Sequence, residues 1–600
     1  MTAGTAPWTE WPETMCSAFE HTVLRYPDAV ALRSMDTDDL YTYSQYRAAI
    51  ADVANALYGC GIRRHHVVAL MFENRPIFHV VDSAAMHLGA ATSSIYNTSP
   101  PRDIAHVIES SGVQIVVSEA QFVARLREAA PDIRIICTDP NVVDSEYLGD
   151  LARSADFAFD DMWRSVEPDD VLTLIYTSGT TGTSKPVELT HRSMLAEVFL
   201  AAETLDFRAG DRVPSALPMA HAAQRWGSHY NAMAFGLEVI CIHDLATLGQ
   251  SLVLIQPEIW GTVPRILEKM VAAVQLRLDS DSDPDRRALV RAAIDTGQRY
   301  ADAVQAARAG GAEPPPELIA QRRDAEAILS GIRKSLGLAN IRWLMVGAAS
   351  TAPHIHAYLA GLGLEVVEVW GMSELGAVAT MNPVGAQKAG TVGKPLSNVE
   401  VTLADDGEIL VRGPIVMRGY RGLPEATAEA FTEDGLLRTG DLGAIDDDGY
   451  LSITGRKKEI IINAAGKNIS PAKVESALKA QSPLIGSVMV VGDGKPFLTA
   501  LIVLDPDALT QFAVRAGLAE SAPVDLAASD VILTEVGEAV ERANAQLARV
   551  EQIKVHEVLP DFWLPAGDEL TPTLKLKRRV ILEKYADSIE ALYAAATAAR

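Results

Sequence analysis

The sequence predicts an α/β protein with a large N-terminal region and a smaller α+β unit at its C-terminus. Three observations carry this. From about Tyr41 to Val369, short apolar runs alternate with helix-length stretches, the pattern of parallel sheets with helical crossovers. After Val401 the texture changes to short, glycine-punctuated strands, which read as a small β unit. From Lys458 onwards helices and strands mix over about 140 residues, a size that suits a domain of its own. A chain of 600 residues is too long for one core, since domains usually span roughly 50–250 residues.

In chain order, Tyr46 to Leu57 reads as a helix, and Val67–Met71 and Val113–Val117 as buried strands. Val171-Leu172-Thr173-Leu174-Ile175 is a further strand, followed by Val239–Ile242, Trp343–Val346 and Glu365–Val369. Between about 265 and 340 lies a charged, helix-forming insertion. It is broken by Asp279-Ser280-Asp281-Ser282-Asp283-Pro284 and by Gly310-Gly311-Ala312-Glu313-Pro314-Pro315-Pro316. The first break resembles a calcium loop, but Pro284 stands where glycine is needed and Val290 where a bidentate glutamate is needed; it reads as a solvated turn. Strands are expected at Glu408–Pro414 and Gly449–Thr454. In the tail, a helix is expected at Pro471–Gln481 and strands at Ser487–Val491 and Leu498–Leu504.

Composition narrows the function. The net charge of −25 disfavours general nucleic-acid binding, so any polyanionic ligand must meet local lysines and arginines. Met1 to Met15 lacks a basic region followed by an apolar run and is not read as a signal peptide. No apolar stretch reaches the ~18 residues of a transmembrane helix. The four cysteines, Cys16, Cys60, Cys137 and Cys241, are scattered and imply neither a disulfide framework nor a zinc site. A cytoplasmic setting is the natural reading, and weak peripheral contact with the inner face of a membrane stays open.

The segment with most chemistry is Tyr176-Thr177-Ser178-Gly179-Thr180-Thr181-Gly182-Thr183-Ser184-Lys185. Such a loop offers backbone N–H groups, hydroxyls and one ammonium to a polyphosphate, and its glycines allow close approach. It is not the common Gly-x-x-x-x-Gly-Lys-[Ser/Thr] loop: Ser184 replaces the second glycine and Pro186 follows Lys185. Five further segments accompany it: Leu217-Pro218-Met219-Ala220-His221, Trp370-Gly371-Met372-Ser373-Glu374, Arg438-Thr439-Gly440-Asp441, Ile453–Ile461 around Arg456, and Leu570–Arg578 around Lys575. Singly, each has a plain structural explanation. Gly371-Met372-Ser373 is no hydrolase elbow, because Leu375 replaces the required glycine.

Together and in this order, the six segments resemble the adenylate-forming (ANL, AMP-binding) enzymes from about Trp8 to Tyr593. Thr262–Lys269, the helical insertion and Gly466-Lys467-Asn468-Ile469-Ser470-Pro471 resemble the long-chain fatty acyl-CoA synthetase branch. The resemblance implies a large N-terminal domain, 1–457, of stacked, mostly parallel sheets with helices plus a small distorted β-barrel. It also implies a small mobile α+β domain, 458–600. The implied reaction is ATP-dependent activation of a fatty acid to acyl-AMP, then transfer to coenzyme A, with Mg²⁺ as cofactor.

By the same resemblance, Thr177, Ser178, Gly179, Thr180, Thr181 and Gly182 surround the β- and γ-phosphates with Lys185 nearby, and Glu374 with Thr180 holds Mg²⁺. Trp370 and Gly371 lie against the adenine, and Gly347, Ala348 and Ala349 form the opposite wall. Ser373 keeps the hydroxyl of the commoner threonine, Asp441 accepts from the ribose, and Arg456 donates to ribose or phosphate. Lys575 bridges the fatty carboxylate and the α-phosphate, and His221 borders the carboxylate. Lys458 is the hinge, and Gly466 lines the pantetheine channel in a second pose. Candidates for the fatty tunnel come from around Arg225, Trp226, Tyr230 and Phe235; for Trp226 a gate competes with plain core packing.

Pro186 and Glu188 depart from the family pattern, the first by removing a donor, the second by adding negative charge. They leave room for a binding homologue with little turnover. An acyl-AMP ligase that loads a carrier protein is a further alternative, although the intact Gly466-Lys467-Asn468 favours coenzyme A. Neither the acyl length nor the oligomeric state is legible in these motifs.

Overall fold

Element boundaries follow from local chemistry. The helix expected from Tyr46 begins earlier, spanning Tyr43–Gly59, because Thr42 caps it: its hydroxyl accepts the Gln45 N–H while Gln45 reaches back to the Thr42 N–H. The strand expected from Val113 begins at Ile115. Gly112 closes the preceding helix, Pro101–Ser111, in the left-handed region (φ 66°), and the Val113 N–H is still spent on the Ile108 carbonyl. The insertion forms the helices Pro264–Asp279, Pro284–Arg308 and Pro316–Ser335, each opening on a proline, where the missing N–H has no partner to lose.

The computed structural model describes residues 11–177, 184–308, 310–349, 351–515, 523–564, 567–571 and 575–598. Among them, an eight-stranded sheet runs Gly419–Tyr420, Pro186–Thr190, Val171–Tyr176, Ala91–Ser94, Val67–Met71, Ile115–Ser118, Arg134–Cys137, Glu146–Tyr147. It is parallel except where Pro186–Thr190 pairs antiparallel with both neighbours. A five-stranded sheet begins with parallel Ile259–Thr262, Trp343–Val346 and Val366–Trp370. A four-stranded sheet joins Arg212–Ser215, Glu238–Cys241, Val30–Ser34 and Leu40–Thr42. The β unit expected after Val401 is an antiparallel half-barrel of Glu400–Leu403, Glu408–Arg412, Leu437–Ile445 and Leu451–Arg456.

The tail has its own core. Strands Ile485–Val491, Leu498–Leu504 and Ile553–Leu559 pack against helices Pro471–Lys479 and Asp530–Gln546 through Val474, Leu478, Val488, Ile502, Ile532 and Val536. Its contact with the insertion helix Pro264–Asp279 is made by ion pairs: Arg265 with Asp505, Lys269 with Asp507 at 2.8 Å, and Glu268 with Lys479 at 3.8 Å.

Helices and sheets of the N-terminal part are pinned by a buried polar cluster. Arg225, wholly buried, donates to Asp82, Ser94, Thr92 and Tyr230. The other Asp82 oxygen meets His229 Nε2 at 2.9 Å, and His229 Nδ1 lies 2.8 Å from His79 Nδ1. Burial by itself would raise the Asp82 carboxyl, but Arg225 and His229 hold it below the carboxylate range. This anchors the π-helical turn Arg225–Tyr230 on the helix Pro76–His87. Breaking one partner strands the other charge in a dry core. Asp82→Ala should therefore destabilise the N-terminal part by about 3–5 kcal/mol, read as a lower urea midpoint in tryptophan fluorescence; a loss below about 1 kcal/mol, the range of an exposed pair, would contradict this.

Candidate active site

Where the two sheets, the half-barrel and the tail meet lies a cavity of about 760 Å³. Thr177 and Lys185 enter it from the ends of the antiparallel pair Val171–Tyr176 and Pro186–Thr190. Gly347 and Ala348 follow the strand Trp343–Val346, and Gly371, Ser373 and Glu374 follow Val366–Trp370. His221, Arg456, Lys458 and Lys575 complete the set of sequence-derived residues on its wall. Residues more than three hundred positions apart in the chain thus converge, Lys185 with Lys575 among them.

Backbone geometry explains several of these positions. Ala348 has φ 71°, an unfavourable conformation for a residue with a Cβ, of order 1–3 kcal/mol. It places the chain at the cavity wall where a strand would otherwise continue. At Gly371 a Cβ would collide with the Ala377 carbonyl, so only glycine lets the loop fold back on itself. That loop is held from below by Glu197, fully buried, whose Oε1 accepts the Val378 N–H at 2.5 Å. Burial raises the Glu197 carboxyl well above its usual range. Thr571 and Lys575 exchange hydrogen bonds: Thr571 N–H to the Lys575 carbonyl at 2.8 Å, and Lys575 N–H to Thr571 Oγ1 at 3.0 Å.

The wall sets the cations Lys185, Arg438, Arg456, Lys457, Lys458 and Lys575 beside the acids Glu374, Glu408, Glu429 and Glu459. Burial lowers the Lys575 ammonium, as does the charge of Arg456, while Asp441, Glu459 and Glu374 oppose this. Burial and Lys575 bring His221 down to about 4, so its imidazole is neutral at pH 7 and offers a hydrogen bond without a charge. Burial raises the Glu374 carboxyl, and the Tyr420 hydroxyl, donating to Oε1 at 2.8 Å, with Arg456 and Lys185, pulls it back.

Trp370 and Asp441 stand behind the wall rather than on it. The Trp370 indole N–H donates to Asp441 Oδ2 at 2.9 Å, and Arg456 Nε donates to Oδ1 at 2.6 Å, so Asp441 orients both neighbours. Gly466 is not brought to the cavity; it lies on an exposed turn with φ 69°. Ser178, Gly179, Thr180, Thr181 and Gly182 lie outside the described residues.

Two sequence expectations are corrected. Arg225, Trp226, Tyr230 and Phe235 are buried in the core and do not line the cavity; Gln224, Gly227 and Ser228 do. These three share one helical face, at i, i+3 and i+4, and the bulkier residues between them turn inward. At Gly227 a Cβ would meet nothing within 4 Å, so that face is open. Nor is Glu188 a stray negative charge beside Lys185. Arg421 reaches it at 3.3 Å and Arg418 at 3.7 Å, and the Pro186 carbonyl accepts the Arg421 N–H at 2.9 Å. Tyr420 and Glu197 were missed by sequence reasoning: Glu197 sits inside an apolar helix, and Tyr420, between Gly419 and Gly422, belongs to none of the six segments that carried the reading.

A family model described as AMP-binding enzyme matches residues 19–421, and one for the AMP-binding enzyme C-terminal domain matches 458–597. The chain is 44% identical to FadD11 of Mycobacterium tuberculosis over 445 residues, 74% of this chain and 77% of that protein. It is 35% identical over 569 residues to FadD15 of Mycobacterium bovis, named a long-chain-fatty-acid–CoA ligase, covering 92% and 91% of the two chains. In fold it is similar to the adenylation domain of a carboxylate reductase from Mycobacterium chelonae (TM-score 0.74, 19% identity, 99% and 92% covered). It is also similar to the o-succinylbenzoate coenzyme A synthetase of Bacillus subtilis solved with ATP and magnesium (TM-score 0.67, 21% identity, 94% and 98% covered).

Proposed function

The chain belongs to the AMP-binding enzymes, and we propose that it activates a long-chain fatty acid with ATP and passes the acyl group to coenzyme A. The observation that carries this is the presence of Lys575, from the tail, on the same cavity wall as Lys185, His221 and Glu374. In the first half-reaction a fatty carboxylate oxygen attacks the α-phosphorus of ATP, and the bond to pyrophosphate breaks. Two anions must approach, so fixed positive charge and positioning dominate. Lys575 bridges the carboxylate and the α-phosphate; Lys185, with the loop 177–182, holds the outer phosphates; neutral His221 borders the carboxylate. Arg456, oriented by Asp441 from behind the wall, donates to ribose or phosphate. Gly371, backed by Trp370, on one side, with Gly347 and Ala348 on the other, encloses the adenine, and Ser373 supplies a hydroxyl beside it. In the second half-reaction the coenzyme A thiol attacks the acyl carbonyl, AMP leaves, and the thiol proton passes to solvent.

Glu374 suits a hard divalent cation: it is a buried carboxylate whose charge is short of compensation. It would hold Mg²⁺ with Thr180, and the ion would neutralise phosphate charge. The second half-reaction needs a different neighbour at the acyl carbonyl, so the unit 458–600 turns about Lys458 and brings Gly466 to the pantetheine channel. The fatty tail takes the face of Gln224, Gly227 and Ser228.

The direct test is ATP- and coenzyme A-dependent thioester formation across a fatty-acid length series, with holo-carrier protein as a competing acceptor; no product at any length would refute the reading, and product only on the carrier would replace coenzyme A as acceptor. Lys575→Ala should slow fatty-acid-dependent pyrophosphate exchange about 10²–10³-fold while sparing thioester formation from preformed acyl-adenylate. Equal losses in both halves would contradict the bridging role. Because burial lowers the Lys575 ammonium, kcat/KM for exchange should fall as alkaline pH removes its proton, at lower pH than for a free lysine. Lys575→Arg should shift that limb upward, since a guanidinium stays charged; an unmoved limb would assign it elsewhere. Gly227→Leu, filling the open face, should move the preference to shorter acids, and an unchanged profile would place the tail elsewhere.

A further inference from the structure

Lys185 and Glu374 come from separate segments that share no hydrogen bond among the described residues, yet they face the same cavity. What joins them is a five-residue stretch, Met417–Arg421, containing the edge strand Gly419–Tyr420. The Met417 N–H donates to the Glu374 carbonyl at 2.8 Å. The Arg418 N–H donates to the Glu188 carbonyl at 3.0 Å, and the Arg421 N–H to the Pro186 carbonyl at 2.9 Å. One stretch thus ties the backbone of the acid's turn to the strand that begins beside the lysine.

The side chain at its centre repeats the bridge. Tyr420 donates its hydroxyl to Glu374 Oε1 at 2.8 Å, and the Lys185 ammonium lies over its ring, 4.6 Å from the centroid. A tyrosine can serve an anion and a cation at once because its O–H is a donor and its ring face is electronegative. The ring is fixed by its own backbone. The Tyr420 N–H donates to Thr427 Oγ1 at 2.9 Å, and Gly419, at φ 153°, lies so close to Thr427 that a Cβ would come within 2.8 Å of Cγ2.

We infer that Tyr420 is a positioning residue for the polyphosphate end of the site: its hydroxyl aims the Glu374 carboxylate, and its ring holds the Lys185 ammonium beside Pro186. The inference rests on the proposed ATP-dependent activation. Its two halves are separable by substitution. Tyr420→Phe removes the hydroxyl and keeps the ring; Tyr420→Leu removes both.

The test is binding of ATP to the full chain by calorimetry, with Mg²⁺ and with EDTA, for wild type and both variants, alongside circular dichroism. For Tyr420→Phe, affinity in EDTA should stay at the wild-type value, while the gain conferred by Mg²⁺ should shrink about tenfold, the scale of one hydrogen bond to a charged group. Tyr420→Leu should lose that gain and also bind several-fold more weakly in EDTA, as the lysine is freed. If both variants keep the wild-type gain, or if both lose affinity equally with and without Mg²⁺, Tyr420 is a packing residue and the inference falls. Should Tyr420→Leu not fold, the Tyr420→Phe pair of affinities decides alone. Wild type that binds no ATP under either condition would overturn the functional reading itself, and this inference with it.

Discussion

Everything in this structure turns on gathering positive charge at one point of an acidic chain. The net charge is −25, yet the cavity wall carries Lys185, Arg456, Lys458 and Lys575. Arg456 and Lys458 come from one segment, Lys185 and Lys575 from two others far from it and from each other, and several of the acids nearby are paired. Glu188 is paired with Arg418 and Arg421, and Asp441 with Arg456 and Trp370. Glu374 is drawn towards Tyr420. A polyphosphate and a carboxylate repel one another in water; between fixed cations in a partly dry pocket that repulsion is offset before the reaction begins. The low-dielectric surroundings strengthen every such contact, which is also why Lys575 and His221 are drawn towards their neutral forms.

How the tail is fastened matters to this account. Lys575 reaches the cavity from a unit with its own apolar core, and that unit meets the insertion helix through Arg265, Lys269, Glu268 and their partners. Lys269 and Asp507 are well exposed; pairs of that kind contribute roughly 0–1 kcal/mol each. Arg265 and Asp505, by contrast, are largely buried, and in the N-terminal part the Arg225–Asp82 cluster is wholly buried.

Much of this was legible in the sequence, for physical reasons. Val67–Met71, Trp343–Val346 and Leu498–Leu504 are strands as expected, because continuous apolar runs of that length suit sheets covered on both faces. Glu374, Lys185 and Lys575 meet because their flanking segments carry recognisable turn chemistry. Which residues beyond His221 face the cavity was not legible. Large side chains near His221 drew attention to Arg225, Trp226, Tyr230 and Phe235, whereas a lining needs room, and room is made by Gly227 and Ser228. Composition cannot tell which helical face is turned to a void. The compensation of Glu188 was hidden for another reason: its arginines lie more than two hundred residues away, flanking an edge strand of two residues too short to leave a periodic signal.

The most direct measurement is a crystal structure of the full chain with a long-chain fatty acid and an ATP analogue in which the bond between the α- and β-phosphorus cannot be cleaved. The ternary complex cannot react and is held before the first step. The account predicts the Lys575 ammonium between the fatty carboxylate and the α-phosphate, within about 3 Å of both, and the acyl chain along Gly227. Both ligands seated in the cavity with Lys575 out of reach of either would contradict it.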